Sequence, residues 1–417
     1  MSRTVRLVVL GGSGASTPEL MDAVADWPGG AERRPALDIV LHGRSTRKLE
    51  LVAEACQRRL SASADAVHVT AETSLERALD GADVVLIQVR AGGLDARVFD
   101  ETFPRSFGLP GEETMGPGGF ADAVRTVPAL ADTWDRLAAR AADAFIINLT
   151  NPAGIVTQAA IAHTGLRIVS ICDGPVTFVE GIARATGRDA SDVRLGYAGM
   201  NHCGFWVHPE SDILLSALPA TSGIDPEDVQ TLGALPSPYV RFYLHPDRQL
   251  ETQLAAEESR AQALKRMEAE MLDQYAHHVE APRQTRRGAL WYRVSIVPLI
   301  DAVVHGGQDT VILGLPNAAA VDWAPDDAIV ELPTDVHAGG ACSRRPAAGL
   351  PSRVVDLLTR HATFETRTAR ALAGTRSRDE VRERRLPLIE ALSANPMVES
   401  PELAERLVDE ILANDPT

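Results

Sequence analysis

Cys172 closes the apolar run Arg167–Ile171, and His202 follows it within Gly199-Met200-Asn201-His202. A thiolate and an imidazole together can hold a divalent ion, and two protein ligands leave coordination positions open for substrate oxygens and water. A lone cysteine at such a place is more often a small apolar filler, and a lone histidine more often a hydrogen-bonded core residue. The two together, among many polar neighbours, favour a metal. Mn²⁺ suits a sugar diol better than a closed zinc site does, although composition alone does not select the ion. A plain hydride-transfer enzyme needs no such ion, so the pair separates two kinds of chemistry.

A second constellation opens the chain. The apolar run Val5–Leu10 leads into Gly11-Gly12-Ser13-Gly14-Ala15-Ser16-Thr17-Pro18. Glycines there permit a tight turn and close approach of a pyrophosphate. Thr17 is placed to cap the next helix, with Pro18 at its first position, so that the helix N-terminus faces the phosphates. This predicts a dinucleotide site built from Gly11, Gly12, Ser13, Gly14, Ala15 and Ser16; a merely structural turn is the bland alternative. The second strand of such a fold usually ends in an acid that holds the ribose hydroxyls of NAD. Here it reads Leu41-His42-Gly43-Arg44-Ser45-Thr46-Arg47. Arg44, Ser45 and Arg47 could instead meet a 2′-phosphate, so NADP stands beside NAD; a solvated helix start is the other reading.

These residues need a scaffold of parallel strands. Val5–Leu10, Leu37–Leu41, Ala82–Val89, Ala144–Leu149 and Arg167–Ile171 read as buried strands, and Leu20–Asp26, Thr46–Arg59 and Val124–Ala142 as the amphipathic helices between them. That rhythm predicts an α/β fold with a doubly wound, Rossmann-like parallel sheet over residues 1–194. Ligands of such sheets bind beyond the carboxyl ends of the strands, where Gln88, Arg90, Asn148, Asn151, Cys172 and Asp173 fall. Asn148 suits a turn brace as well as a ligand, whereas Asn151 suits contact with substrate. After residue 195 the texture changes. Tyr197–His208 looks strand-like, Leu250–Gln274 reads as one long charged helix, Val311–Leu313 and Ala328–Leu332 as short strands, and Pro351–Leu412 as mostly helical. Residues 195–417 are expected to form a mixed α+β domain for substrate binding and oligomerisation.

The chain has 417 residues, 45% of them hydrophobic, which suits two domains with a large interior. A net charge of −16 argues against nucleic acid and anionic membranes as partners. Four cysteines without a disulfide-like spacing, and an N-terminus that enters a strand directly, predict a reduced, cytoplasmic protein.

Several motifs in order resemble glycoside hydrolase family 4, whose members include 6-phospho-β-glucosidases. They are Gly11–Leu20; Gln88-Val-Arg90-Ala-Gly-Gly93 with Arg97, Asp100 and Glu101; and Gly111-Glu-Glu-Thr114-Met-Gly116-Pro-Gly-Gly119-Phe120 with Arg125-Thr126. Asn151-Pro152, Cys172, Gly199–His202, Pro238-Tyr239-Val-Arg-Phe-Tyr243, Arg287-Gly288-Ala289, Pro316-Asn317 and Val330-Glu331-Leu-Pro333 continue the register over nearly the whole chain. The resemblance implies a plan related to lactate and malate dehydrogenases and an unusual hydrolysis. NAD⁺ oxidises the sugar C3 hydroxyl, the C2 proton becomes acidic and is removed, the C1 substituent is eliminated, and water and hydride are then added back. A metal on the C2 and C3 oxygens stabilises the enediolate. Family 4 is an exception to the paired-carboxylate scheme of most glycosidases.

Carried over by position, Cys172 and His202 bind the metal, Asn151 contacts the substrate, and Arg97 and Arg287 hold its phosphate, with surface or structural salt bridges the duller alternative for the arginines. Gln88 and Arg44, from their places at strand ends, are expected at the cofactor. Tyr239 is the candidate C2 base, with Tyr243 second, and an amphipathic core residue is the alternative for either. Asp173 either protonates the leaving oxygen or orients the metal. Family members that act on β-glucosides tend to carry Asn there. Gly43-Arg44 in place of an acid, Glu112 where Gln is common, and Arg293 after Trp291-Tyr292 depart from the pattern, and they leave an unphosphorylated glycoside open as substrate. The expected assembly is a homodimer or homotetramer. Two other functions stand against the hydrolase. One is a net oxidoreductase on a sugar or hydroxy acid, which would release NADH stoichiometrically. The other is a dinucleotide-binding sensor without catalysis, against which Cys172, His202 and Tyr239 speak.

Overall fold

The computed structural model describes residues 4–60, 66–279, 289–306, 310–337, 340–346 and 349–416. The first strands are β1 (Val5–Leu10), β2 (Leu37–His42), β3 (Val67–Glu72), β4 (Val84–Ile87), β5 (Phe145–Asn148) and β6 (Ile168–Ser170). They pair in parallel in the order β3-β2-β1-β4-β5-β6, the dinucleotide-binding arrangement. The four residues of β4 are all buried, as expected of a strand covered on both faces. β3 was not expected from the sequence. It is the edge strand, and its Val67-His68-Val69-Thr70 alternates buried and exposed positions, so its apolar signal is half that of its neighbours.

The remaining strands are β7 (Tyr197–Met200), β8 (Cys203–Trp206), β9 (Leu235–Pro236), β10 (Thr310–Pro316), β11 (Ile329–His337) and β12 (Gly340–Ser343). β10 joins β6 antiparallel through Gly314 and Ser170, and the sheet runs on without a break through β11, β7, β8 and β9. A Cβ on Gly314 would lie 2.0 Å from Ser170 Oγ, so this seam requires glycine. The run Tyr197–His208 is a tight hairpin whose two-residue turn is Asn201-His202, since Met200 pairs with Cys203.

The expected long charged helix is two, Pro246–Ala255 and Arg260–Ala276. Ser259 accepts from the Gln262 N–H while the Gln262 side chain takes the Ser259 N–H, and this reciprocal cap starts the second helix. The helix expected over Val124–Ala142 begins earlier, at Gly116, and runs to Arg140. Its glycines are there for close packing: a Cβ on Gly118 would lie 2.3 Å from the Glu112 carbonyl oxygen, and on Gly119 2.0 Å from that of Thr114. The C-terminal helices Ser352–Leu372, Arg385–Leu392 and Pro401–Asn414 pack their apolar faces onto Phe120, Leu130, Trp134 and Ile155 in the first part of the chain. No helix among the described residues is long and apolar enough to cross a membrane.

Candidate active site

The end of β6 and a hairpin turn carry the candidate metal ligands. Cys172 follows β6 and occupies the N-cap of the helix Asp173–Thr186, its Sγ accepting from the Gly174 N–H at 3.3 Å. His202 sits in the hairpin turn at φ 60°, a left-handed conformation uncommon outside glycine. The two side chains lie close enough to perturb each other's ionisation. Burial pushes the Cys172 thiol up, against the pull of His202. Burial disfavours the His202 cation, but Tyr239, Cys172 and Glu112 outweigh it and hold the imidazole well above its ordinary value. His202 Nδ1 is buried with no hydrogen-bond partner among the described residues, 3.9 Å from Glu112 Oε2. A half-buried sulfur, with the Asp173 carboxylate 3.7 Å from it, and an orphaned ring nitrogen are donors of the types that a divalent cation accepts.

Tyr239 stacks on the His202 ring, centroids 3.9 Å apart and planes inclined by 13°. The His202 charge pulls its hydroxyl pKa down, yet burial and the carboxylates of Glu112 and Glu113 raise it overall. Tyr243, the second candidate base, is elsewhere: its hydroxyl lies 2.8 Å from His361 Nδ1. The structure thus separates the two tyrosines, one stacked on His202 and one in a polar contact of the interior.

The arginines stand beside this group. Arg90 Nη1 lies 2.6 Å from Glu113 Oε2, and Arg97 bridges Glu113 at 2.9 Å and Glu101 at 2.7 Å. Glu113 is buried, but the two guanidinium groups hold its pKa down to about 2. Arg97 is 9% exposed and committed to these carboxylates. Behind it, Arg125 binds Asp100, Asp122 and Asp415, and its Nε donates to the Ala91 carbonyl, fixing the Arg90–Gly93 loop. Arg287 lies outside the described residues. Arg293 turns to Asp26, 2.6 Å away. Glu112 uses Oε2 to accept from the Thr114 and Met115 N–H groups, which shapes the turn into the Gly116 helix.

Two residues already within the motifs, Asn201 and Glu331, have a role that the motifs did not announce. Asn201 accepts from the Ala153 N–H and donates to Glu331, which also receives the Tyr197 hydroxyl at 3.0 Å. Asn201 therefore ties the Asn151-Pro152 turn to the hairpin that carries His202. The signal was an acid amid the apolar residues of β11. Asn148 is the expected turn brace, accepting from Thr150 N and donating to Thr157 Oγ1 at 2.9 Å. Asn151 is half-buried and makes no side-chain hydrogen bond among the described residues.

The nucleotide end is equally specific. Gly11 has φ +86°, and a Cβ there would lie 2.5 Å from the Gln88 carbonyl oxygen; on Gly12 it would lie 2.8 Å from Leu41 Cβ. Gly14 has no such restriction. Thr17 does not cap the helix Pro18–Ala25; its backbone is already helical and its Oγ1 accepts from Gln88 instead. Gln88 also receives the Tyr292 hydroxyl at 2.8 Å, and the Tyr275 hydroxyl donates to the Ala15 carbonyl at 2.8 Å. Tyrosines remote in sequence thus clamp the turn from two sides. Ser16 Oγ is buried without a partner among the described residues, an orphan that a phosphate oxygen would satisfy. Ser13 lies against Gly43, and Arg44 is exposed beyond it.

Comparison with known proteins decides the family. The description of family 4 glycosyl hydrolases matches residues 7–188, and that of the family's C-terminal domain matches residues 197–398. The chain belongs to family 4 of the glycosyl hydrolases. It is 26% identical to a probable 6-phospho-beta-glucosidase of Bacillus subtilis, over 99% of this chain and 96% of that protein. The 6-phospho-beta glucosidase of Thermotoga maritima, solved with NAD and glucose-6-phosphate, superposes with a TM-score of 0.83 at 25% identity, covering 98% of each chain. A gut-microbial 6-phospho-alpha-glucosidase, solved with the same two molecules, gives 0.83 at 22% identity over 99% of this chain and 98% of that one. The T. maritima enzyme has also been solved with manganese. A deep-sea metagenomic lactate dehydrogenase shares the fold at a TM-score of 0.52 and 11% identity, over 89% of this chain and 99% of that one.

Proposed function

We propose that this hydrolase cleaves 6-phospho-β-glucosides, using a nicotinamide dinucleotide and Mn²⁺ as resident cofactors. One observation carries the reading: Cys172, just past β6, and His202, in the hairpin turn, lie close enough to perturb each other's ionisation, with Tyr239 stacked on the imidazole. When bound, the dinucleotide supplies reversible oxidation of a sugar hydroxyl and the cation supplies Lewis acidity at the neighbouring oxygens. Cys172 and His202 would hold the cation, and Gly11, Gly12, Ser13, Gly14, Ala15 and Ser16 the pyrophosphate. Tyr239 Oη takes the C2 proton. The largest influence on its hydroxyl is the downward pull of positive charge at His202, and a cation held there would supply that pull. Asp173, beside Cys172, delivers a proton to the leaving oxygen. Asn151 offers its unengaged amide to the sugar, and Arg97 and Arg287 supply positive charge for the phosphate.

The β anomer is favoured by the match to the B. subtilis relative along nearly the whole chain. An α-glucoside is the second reading, favoured by Asp173 in the position described above. The test is release of nitrophenol from paired α and β nitrophenyl 6-phosphoglucosides and their unphosphorylated counterparts. Dinucleotide and Mn²⁺ are each added or withheld. The reading expects turnover of a phosphorylated substrate only with both present and without accumulation of reduced dinucleotide. Hydrolysis indifferent to the dinucleotide contradicts it, and stoichiometric reduction points to a net oxidoreductase.

A further inference from the structure

The adenosine end of the crevice carries a second message, which rests on the dinucleotide reading above. β2 ends beside the Gly-rich turn: the Gly11 and Gly12 N–H groups both donate to the His42 carbonyl, at 3.1 and 2.8 Å. In a sheet of this strand order the residues just past β2 face the adenosine ribose, and a carboxylate there accepts from the 2′-hydroxyl. The first such residue is Gly43. A Cβ added to it would meet Ser13 Oγ at 3.0 Å and Ser13 Cβ at 3.1 Å, so the chain packs on the turn and offers no side chain. The next is Arg44. Arg44, Ser45, Thr46 and Arg47 are all exposed.

Neither guanidinium has an ion-pair or hydrogen-bond partner among the described residues. The acids at the neighbouring strand end are engaged. Glu72, closing β3, binds Arg77 through both oxygens at 2.8 and 2.7 Å and accepts from Ser74 N, and Glu76 pairs with Arg136. The helix Thr46–Leu60 has no acidic residue in its first turn, so the positive end of its dipole adds to the two arginines. On a chain of net charge −16, two arginines without partners among the described residues and a helix N-terminus follow β2 directly, at the position where a carboxylate would otherwise stand.

We propose that the nucleotide site takes NADP in preference to NAD, with Arg44 and Arg47 supplying charge, and Ser45 a hydroxyl, to the 2′-phosphate. Guanidinium groups suit a phosphate and give a 2′-hydroxyl no acceptor. Isothermal titration of the full-length protein, stripped of nucleotide, with NAD⁺ and with NADP⁺ at low ionic strength tests this. The expected result is NADP⁺ binding at least about tenfold tighter, a ratio that falls as salt is added. Arg44→Ala and Arg47→Ala should each reduce the ratio, and the double variant should bring it to about one while NAD⁺ affinity stays within about twofold. NAD⁺ binding as tightly as NADP⁺ to the unaltered protein, or a double variant that weakens both nucleotides alike, overturns the proposal and leaves the dinucleotide reading intact. Binding of neither nucleotide to a folded protein overturns both.

Discussion

Glu113→Gln is the most informative single change. Glu113 is buried, and Arg90 and Arg97 hold its pKa near 2, against 4.5 for a free glutamate. That fall is worth on the order of 3 kcal/mol of stability at neutral pH. Arg90 is 26% exposed at its side chain, which screens its share, whereas Arg97 is 10% exposed and screened little. The sign follows from the lowered folded-state value. The contribution is complete above about pH 4.5, and it drains away as pH falls toward 2. Glutamine keeps the shape and loses the charge, so Arg97 retains Glu101 alone. Urea unfolding of both proteins at several pH values measures the effect, with the midpoint difference multiplied by m. The expected loss is about 2 to 3 kcal/mol at pH 7, shrinking steadily below pH 4.5. Because the pair also sets Arg97 against the crevice, KM for a phosphorylated substrate should rise. A loss below about 0.5 kcal/mol, or one that does not change with pH, would show that packing and not charge holds the cluster.

Cys172→Ser should weaken Mn²⁺ binding at least about tenfold and lower turnover about a hundredfold or more, measured by electron paramagnetic titration of free Mn²⁺ alongside steady-state rates. Tyr239→Phe should reduce kcat by about 10²- to 10⁴-fold with Mn²⁺ affinity retained, whereas Tyr243→Phe should keep kcat and cost about 1 kcal/mol of stability for its lost His361 contact. Equal effects of the two would remove the assignment of the base. Gly11→Ala, whose Cβ would lie 2.5 Å from the Gln88 carbonyl oxygen at φ +86°, should cost at least about 1–2 kcal/mol in thermal unfolding and raise the dinucleotide Kd. An alanine variant of unchanged nucleotide affinity would refute the close-approach argument.

The parallel sheet was legible because a strand buried on both faces writes itself as an unbroken apolar run, as in Val84-Val85-Leu86-Ile87. β3 was not, because an edge strand exposes every second side chain. Cys172, His202 and Tyr239 were legible from residue type and motif, and the hairpin brings the histidine to the sulfur. What the sequence hid was support. The Tyr275 and Tyr292 clamps on the Gly-rich turn join residues more than 200 apart, and no local pattern announces such pairs. Asn201 was read as part of a motif, and its role as a strut between Ala153 and Glu331 appears only when three segments meet. The capping role expected of Thr17 failed because Gln88, from the end of another strand, claims its hydroxyl. The long charged helix broke at Ser259 because the reciprocal Ser259–Gln262 cap starts a new one there.

Turnover in D₂O examines the central claim most directly, by mass spectrometry and proton spectra of the glucose 6-phosphate released. If Tyr239 removes a proton from C2 during each cleavage, deuterium appears at that carbon in the product, and Tyr239→Phe slows its incorporation in step with turnover. Glucose 6-phosphate formed at full rate with its C2 hydrogen retained would mean direct displacement at C1, and the account of this site would be wrong.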